Sequence, residues 1–243
     1  MVSEHILVTG GSRGIGAAVV RLAVHRGYQV TFTFLHDEEA AEHLVHQCGI
    51  RATAVRADVR DAALAAAVVG AADERGQLTA VVNNAGTTGP LGTFLATPDA
   101  ALREVFDINV FGILNYARAA AEHWIREGRP GVVVNLSSVA ASTGAPDEYV
   151  GYAASKAAVD SVTTGLGREW ASANIRVVGI APGTTDTDIH AAAGDPGRPG
   201  RVAGRVPLGR VAQPEEIAEA VLWALSHQAS YVTATTIAVA GGL

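Results

Sequence analysis

The apolar run His5-Ile6-Leu7-Val8-Thr9 passes directly into Gly10-Gly11-Ser12-Arg13-Gly14-Ile15-Gly16, and an alanine- and valine-rich helical pattern follows from Ala17 to His25. Few arrangements accommodate that order. A short, continuously apolar segment suits a strand buried on both faces, and a glycine-dense turn leading straight into a helix makes a βα unit. Amides at the start of such a helix lack intrahelical partners, and with the helix dipole they favour an anion such as a pyrophosphate. Gly10 permits the turn, Gly14 permits close approach of a ligand to the backbone, and Gly16 lets helix and strand pack closely. The spacing, Gly-x-x-x-Gly-x-Gly, differs from the Gly-x-Gly-x-x-Gly of the commonest dinucleotide fingerprint. Ser12, Arg13 and Ile15 share the turn, and Arg13 is the cation best placed to meet a ribose 2′-phosphate; a solvated turn arginine would look the same.

The strand–helix rhythm then continues. Tyr28 to Phe34, Thr53 to Ala57, Ala80 to Val82, Gly131 to Leu136, Ile175 to Ile180 and Thr235 to Val239 read as strands, separated by helical patterns. A chain of 243 residues that is 49% hydrophobic can bury one large core. The rhythm has no break long enough for a second domain, so residues 1–243 are expected to form one doubly wound α/β domain, a Rossmann-type parallel sheet flanked by helices. Asp195-Pro196-Gly197-Arg198-Pro199-Gly200-Arg201 alone has linker composition, and it predicts a mobile lid over about 187–210.

Polar residues gather where these strands end, which in an open parallel sheet is the ligand crevice. The end of the second strand, Phe34-Leu35-His36, lacks the acid that would hold an adenosine ribose. Asp37, Glu38 and Glu39 read instead as the acidic start of the next helix. Asp58, followed by Val59, could accept from an adenine amino group or cap the helix from Asp61 to Glu74. Asn83-Asn84-Ala85-Gly86 ends the fourth strand, where backbone can approach a flat ring and amides can tie strand ends together. Asn109 interrupts the long helical pattern from Leu102 to Ile125, a place asparagine disfavours; solvent exposure or a locally opened carbonyl would explain it. Ser137-Ser138 and Ala181-Pro182-Gly183 close the next two strands.

Lys156 is the only lysine among 18 cationic residues, and it stands four positions after Tyr152 at the head of an apolar-periodic helix. Both side chains therefore share one helical face. A phenol is a poor base near neutrality, and a neighbouring ammonium favours its phenolate. A solvated surface pair is the alternative. A net charge of −6 without a basic stripe excludes a nucleic-acid binder, and one cysteine with scattered histidines predicts neither a disulfide nor a metal site. No signal peptide precedes the first apolar segment and no run reaches spanning length, so no membrane association and a cytoplasmic location are expected.

Taken together, the Thr9–Gly16 turn, Asn83-Asn84-Ala85-Gly86, Asn109, Ser138, Tyr152, Lys156, Pro182-Gly183 and Thr187 resemble the short-chain dehydrogenase/reductase family, over essentially the whole chain. The resemblance implies an oxidoreductase interconverting a carbonyl and an alcohol. Tyr152 would be its general acid/base, Lys156 would lower the phenol pKa and hold the nicotinamide ribose, and Ser138 would bond the substrate oxygen. Asn109 would hold a water in a proton relay, and Pro182, Gly183 and Thr187 would close over the nicotinamide. The Ser138–Tyr152 gap is one residue longer than the commonest family spacing, Ser137 competes for the serine role, and Ala234 stands where many relatives carry glycine. NADP(H) is the expected cofactor, with NAD(H) and an NAD-linked sugar or alcohol dehydrogenase as the alternative. A non-catalytic dinucleotide-binding protein would be expected to lose the tyrosine or the lysine. The substrate loops, Ser142–Gly151 and Thr187–Arg210, offer Tyr149, His190, Leu208 and few charges besides arginines, which suits a neutral or mildly polar carbonyl more than a dianion. The alanine-rich faces of the helices Leu102–Ile125 and Tyr152–Trp170, with the family habit of pairing through them, predict a homotetramer, with a dimer as the alternative.

Overall fold

The computed structural model describes residues 4–243, and the side chain of His190 lies outside the described residues. Seven parallel strands form one sheet in the order β3-β2-β1-β4-β5-β6-β7. They are β1 (Glu4–Val8), β2 (Gln29–Phe34), β3 (Ala52–Arg56), β4 (Gln77–Asn83), β5 (Gly131–Leu136), β6 (Ile175–Pro182) and β7 (Thr235–Val239). Successive crossovers run outward in both directions from β1, so the chain switches sides between β1 and β4. A crevice opens there at the strands' carboxyl ends.

Both faces are covered, and strand alternation decides which residue serves which face. Ile6 and Val8 pack with α1 (Gly14–His25), α2 (Glu38–Cys48) and α10 (Pro214–Leu225). Leu7 packs on the other side with α3 (Ala62–Arg75) and α5 (Gly112–Arg126), around the fully buried Trp124. On that side lies α7 (Val150–Glu169) as well. Most of the charged residues stay outside, as the continuous apolar runs in the strands require.

Several local details differ from the sequence reading. The long helix around Asn109 is α4 (Asp99–Phe106) running into α5 through a π-helical turn at Asp107–Phe111. Such turns widen the helix by one residue and redirect side chains. Asp58 does not cap the third helix. Asp61 does, accepting from Leu64 N at 3.0 Å, because only Asp61 stands one residue before the first helical turn. Asp37 caps α2 by accepting from Ala40 N at 3.0 Å, as the acidic cluster predicted. The loop preceding α7 follows the short α6 (Ala140–Thr143) and turns back through left-handed Gly144, Ala145 and Asp147. Ala234, at φ 57°, also occupies the left-handed region that favours glycine.

Candidate active site

The glycine turn and the end of β4 interlock. Gly10 has φ 63°, and a Cβ there would lie 2.8 Å from the Ala85 Cα. A Cβ on Gly16 would lie 2.3 Å from the Gly10 carbonyl oxygen, so Gly16 is a spacer behind the turn rather than a surface facing a ligand. Asn84 ties the two segments together: its Nδ2 donates to the Thr9 and Gly10 carbonyls at 3.0 and 2.8 Å. Thr9 Oγ1 in turn accepts from the Asn84 and Ala85 amides, both at 3.1 Å. Asn84 thus presents backbone, not its amide, to the crevice.

Arg13 precedes α1 in an extended conformation; its side chain does not cap the helix, and no acid stands in the first turn. The amide-rich end is therefore open to an anion. Ser12, Arg13, Gly14 and Ile15 line a cleft of about 1280 Å³, together with Asp58, Val59, Ala85 and Gly86. Pro182, Gly183 and Thr187 line the same cleft. Thr187 reaches across, its Cγ2 lying 3.4 Å from where a Gly14 Cβ would be. Arg13 is about half exposed at the rim, 3.9 Å from Asp37. The Asp58 carboxylate is gripped by the Arg60 guanidinium, with both oxygens 2.9 Å from Nε, and this pairing holds it below the usual carboxylate range. Open amides, a backbone cradle and a long cleft fit a dinucleotide.

Into the same cleft α7 delivers Tyr152 and Lys156. Lys156 is 4% exposed, and its Nζ donates to the Leu136 carbonyl at 2.6 Å and lies 5.6 Å from the Tyr152 ring centre. Lys156 is buried and Tyr152 half-buried, so the two are not a solvated surface couple. Burial pushes the Lys156 ammonium down to about 8, with Asp160, one turn along, opposing. Burial raises the Tyr152 phenol, and a hydrogen bond with Ser138 opposes that rise. The two serines separate cleanly. Ser137 is buried and donates to the Lys156 carbonyl at 3.3 Å, whereas Ser138 faces the cleft and accepts from Ala140 N at 3.1 Å.

Asn109 is fully buried at the π turn. Its Oδ1 accepts from Thr87 N at 2.9 Å, and its Nδ2 donates to Thr87 O at 2.8 Å and to Ser155 Oγ at 3.0 Å. Ser155 passes the link on by donating to Tyr152 O at 2.7 Å. Sequence reasoning missed Ser155 and Thr87. Ser155 sits inside the Tyr–Lys interval, but nothing local shows that its partner comes from a different helix.

Residues of the loop before α7, of α8 (Ile189–Ala192) and of α9 (Arg198–Val202) also line the cleft. Arg198 donates to Glu148 at 2.6 Å and lies 5.5 Å over the Tyr149 ring. Arg201 reaches the other Glu148 oxygen at 3.5 Å and also pairs with Asp195. Burial by itself would raise the Glu148 carboxyl; the Arg198 and Arg201 guanidiniums outweigh it and hold the group low. Glu148 therefore clasps the expected lid to the loop.

The family model described as enoyl-(acyl carrier protein) reductase matches residues 10–243. Uncharacterized oxidoreductase YgfF of Escherichia coli (strain K12) is 41% identical, covering 97% of this chain and 98% of its own. A 3beta-hydroxysteroid dehydrogenase 1 of Eggerthella lenta is 38% identical over 98% and 92%. The crystal structure of 3-ketoacyl-(acyl-carrier-protein) reductase from Brucella melitensis complexed with NADH superposes with a TM-score of 0.91 at 28% identity, covering 98% of this chain and 97% of that one. With this match from Gly10 onward and these full-length relatives, the chain belongs to the short-chain dehydrogenase/reductase family of NAD(P)-dependent oxidoreductases.

Proposed function

We propose that this protein interconverts a small neutral carbonyl compound and its alcohol, with NADP(H) as the preferred cofactor. The observation that carries the reading is the convergence of Tyr152, Ser138 and Lys156 in the same cleft that the open amide turn lines. The turn of Gly10, Ser12, Arg13, Gly14 and Ile15 would hold the pyrophosphate. Asp58, Val59 and the Asn84–Gly86 backbone would flank the adenine side, and Pro182, Gly183 and Thr187 would enclose the nicotinamide. A bound nicotinamide supplies or accepts the hydride.

Tyr152 gives its phenolic proton to the substrate oxygen as the carbonyl becomes an alcohol, and takes one back in the reverse direction. Ser138 donates to the same oxygen, where negative charge develops. Lys156 spends one N–H on Leu136 and keeps two for the ribose hydroxyls, its charge favouring the phenolate. Asn109 holds the Tyr152 turn through Ser155 and, from its π turn, would seat the relay water.

Arg13 supports the NADP(H) preference, since no carboxylate occupies Phe34 or Leu35. The NAD-linked alternative draws on Asp37, which lies beside Arg13 and partly neutralises it. Exposed Phe111 with the neighbouring Leu102 and Phe106 supports assembly through α4 and α5 into a homotetramer. Among the described residues no helix is long and apolar enough to cross a membrane, and a cytoplasmic location fits the reading. The test is a panel of ketones, aldehydes and alcohols with NADPH and NADH, followed by nicotinamide absorbance, in wild type and Tyr152→Phe. Removing the proton donor should cost at least ~10²-fold in turnover while cofactor binding persists. A Tyr152→Phe enzyme within a few-fold of wild type would sink the mechanism.

A further inference from the structure

Tyr149 stands three residues before Tyr152, with the two rings edge to face and their centres 6.3 Å apart. It lines the cleft, yet it is only 7% exposed, and its hydroxyl has no hydrogen-bond partner among the described residues. An unpaired buried hydroxyl is costly, on the order of 1–3 kcal/mol. Such a group calls for an explanation, and in a cleft wall an acceptor on a bound ligand supplies one. The ring is firmly held. Tyr149 N donates to the Ala145 carbonyl at 2.9 Å, and the Arg198 guanidinium caps the ring face at 5.5 Å.

The surroundings define the partner. Two guanidiniums, Arg198 and Arg201, are paired with two carboxylates, Glu148 and Asp195. That cluster is neutral overall, so it offers no net attraction to an anion, and Glu148 has no spare need for the phenol. Burial raises the Tyr149 pKa, so the hydroxyl stays protonated and acts as a donor. Ser138 and Tyr152 already serve the reacting oxygen in that reading, which leaves Tyr149, whose ring meets that of Tyr152 edge to face, as an unused donor.

We propose that Tyr149 is a specificity-determining residue that donates a hydrogen bond to a second, neutral acceptor oxygen on the substrate. The Glu148–Arg198 pair acts only to hold its ring. This inference rests on the carbonyl–alcohol reading above. It deepens that reading by naming the substrate class: ketones that carry a further carbonyl, ether or hydroxyl oxygen near the reacting centre.

The experiment compares kcat/KM for cyclohexanone with that for 1,2- and 1,4-cyclohexanedione, in wild type and in Tyr149→Phe. The substitution keeps the ring, its packing and the Arg198 contact, and removes only the hydroxyl. For at least one dione, the dione-to-ketone ratio should fall by about threefold to tenfold in the variant, the worth of one neutral hydrogen bond. Taking the ratio cancels any effect the variant has on both substrates alike. Wild-type turnover with dione-to-ketone ratios that Tyr149→Phe leaves unmoved would overturn the subsite while leaving the function standing. Wild type inactive on these compounds and on the wider carbonyl panel, with either nicotinamide, would overturn both.

Discussion

Lys156 is the residue whose burial costs this protein most visibly. It is 4% exposed and makes one hydrogen bond, to Leu136 O, and no carboxylate lies within ion-pair distance among the described residues. Its pKa falls from 10.5 to about 8. At about 1.4 kcal/mol per unit, that fall corresponds to roughly 3 kcal/mol of destabilisation while the amine is charged. The linkage fixes the pH window. Below about 8 the lysine is protonated in both states, and the folded protein bears the full cost. Between about 8 and 10.5 only the unfolded chain keeps the proton, so wild-type stability rises with pH. Methionine matches the stem and removes the charge. Lys156→Met should therefore be more stable than wild type at pH 7. Loss of the bond to Leu136 O offsets about 1–2 kcal/mol, leaving a net gain of about 1–2 kcal/mol, or roughly 3–6 °C in Tm. It should also be inactive. Thermal melts at fixed protein concentration, at pH 7 and pH 10, read the effect, and the advantage of the variant should shrink by about 2 kcal/mol between them. An advantage that is the same at both pH values would refute the argument, because it would have to come from packing and not from a buried charge.

Arg13→Ala should lower kcat/KM for NADPH about tenfold or more relative to NADH, as expected for loss of a charge-assisted contact of ~1.5–3 kcal/mol; an unmoved ratio, or a wild type that favours NADH, defeats the cofactor assignment. Lys156→Arg should lose function, because the larger planar fork cannot bond both ribose hydroxyls from that helix position and stay compact beneath the phenol; wild-type kcat and cofactor KM in that variant would show that only charge matters. Ala234→Gly should raise Tm by about 2 °C by relieving a left-handed alanine worth ~1 kcal/mol, and a lower Tm would mean that the methyl's packing against α7 outweighs the strain. Light scattering should give a mass several times the 24.9 kDa chain, and a mass near one chain at micromolar concentration would exclude the tetramer.

Much of the site was legible in the residues because its largest signals are local. A buried strand, a glycine turn and a helix start lie in consecutive positions, and the Tyr152–Lys156 pair needs only the 3.6-residue period to share a face. Strand ends bearing Asp58, Asn84 and Ser138 followed from the rhythm of a parallel sheet, which places all those ends on one edge. The departure at Ala234 was also visible, and the structure supplies its reason in a positive φ. What remained open depended on contacts between distant segments. Ser137 and Ser138 are alike in sequence, and only the placement of α7 on β5 turns one into a buried anchor and the other into a cleft residue. Asn109 could be a solvated defect or a buried joint; its bonds to Thr87 and Ser155 come from a loop and a helix 22 and 46 residues away. The Glu148 clasp and the unpaired Tyr149 hydroxyl likewise exist only once α9 folds over the loop before α7. Periodicity tells which face of its own element a side chain occupies. Which atoms it meets there is decided by how that element packs against chain arriving from elsewhere.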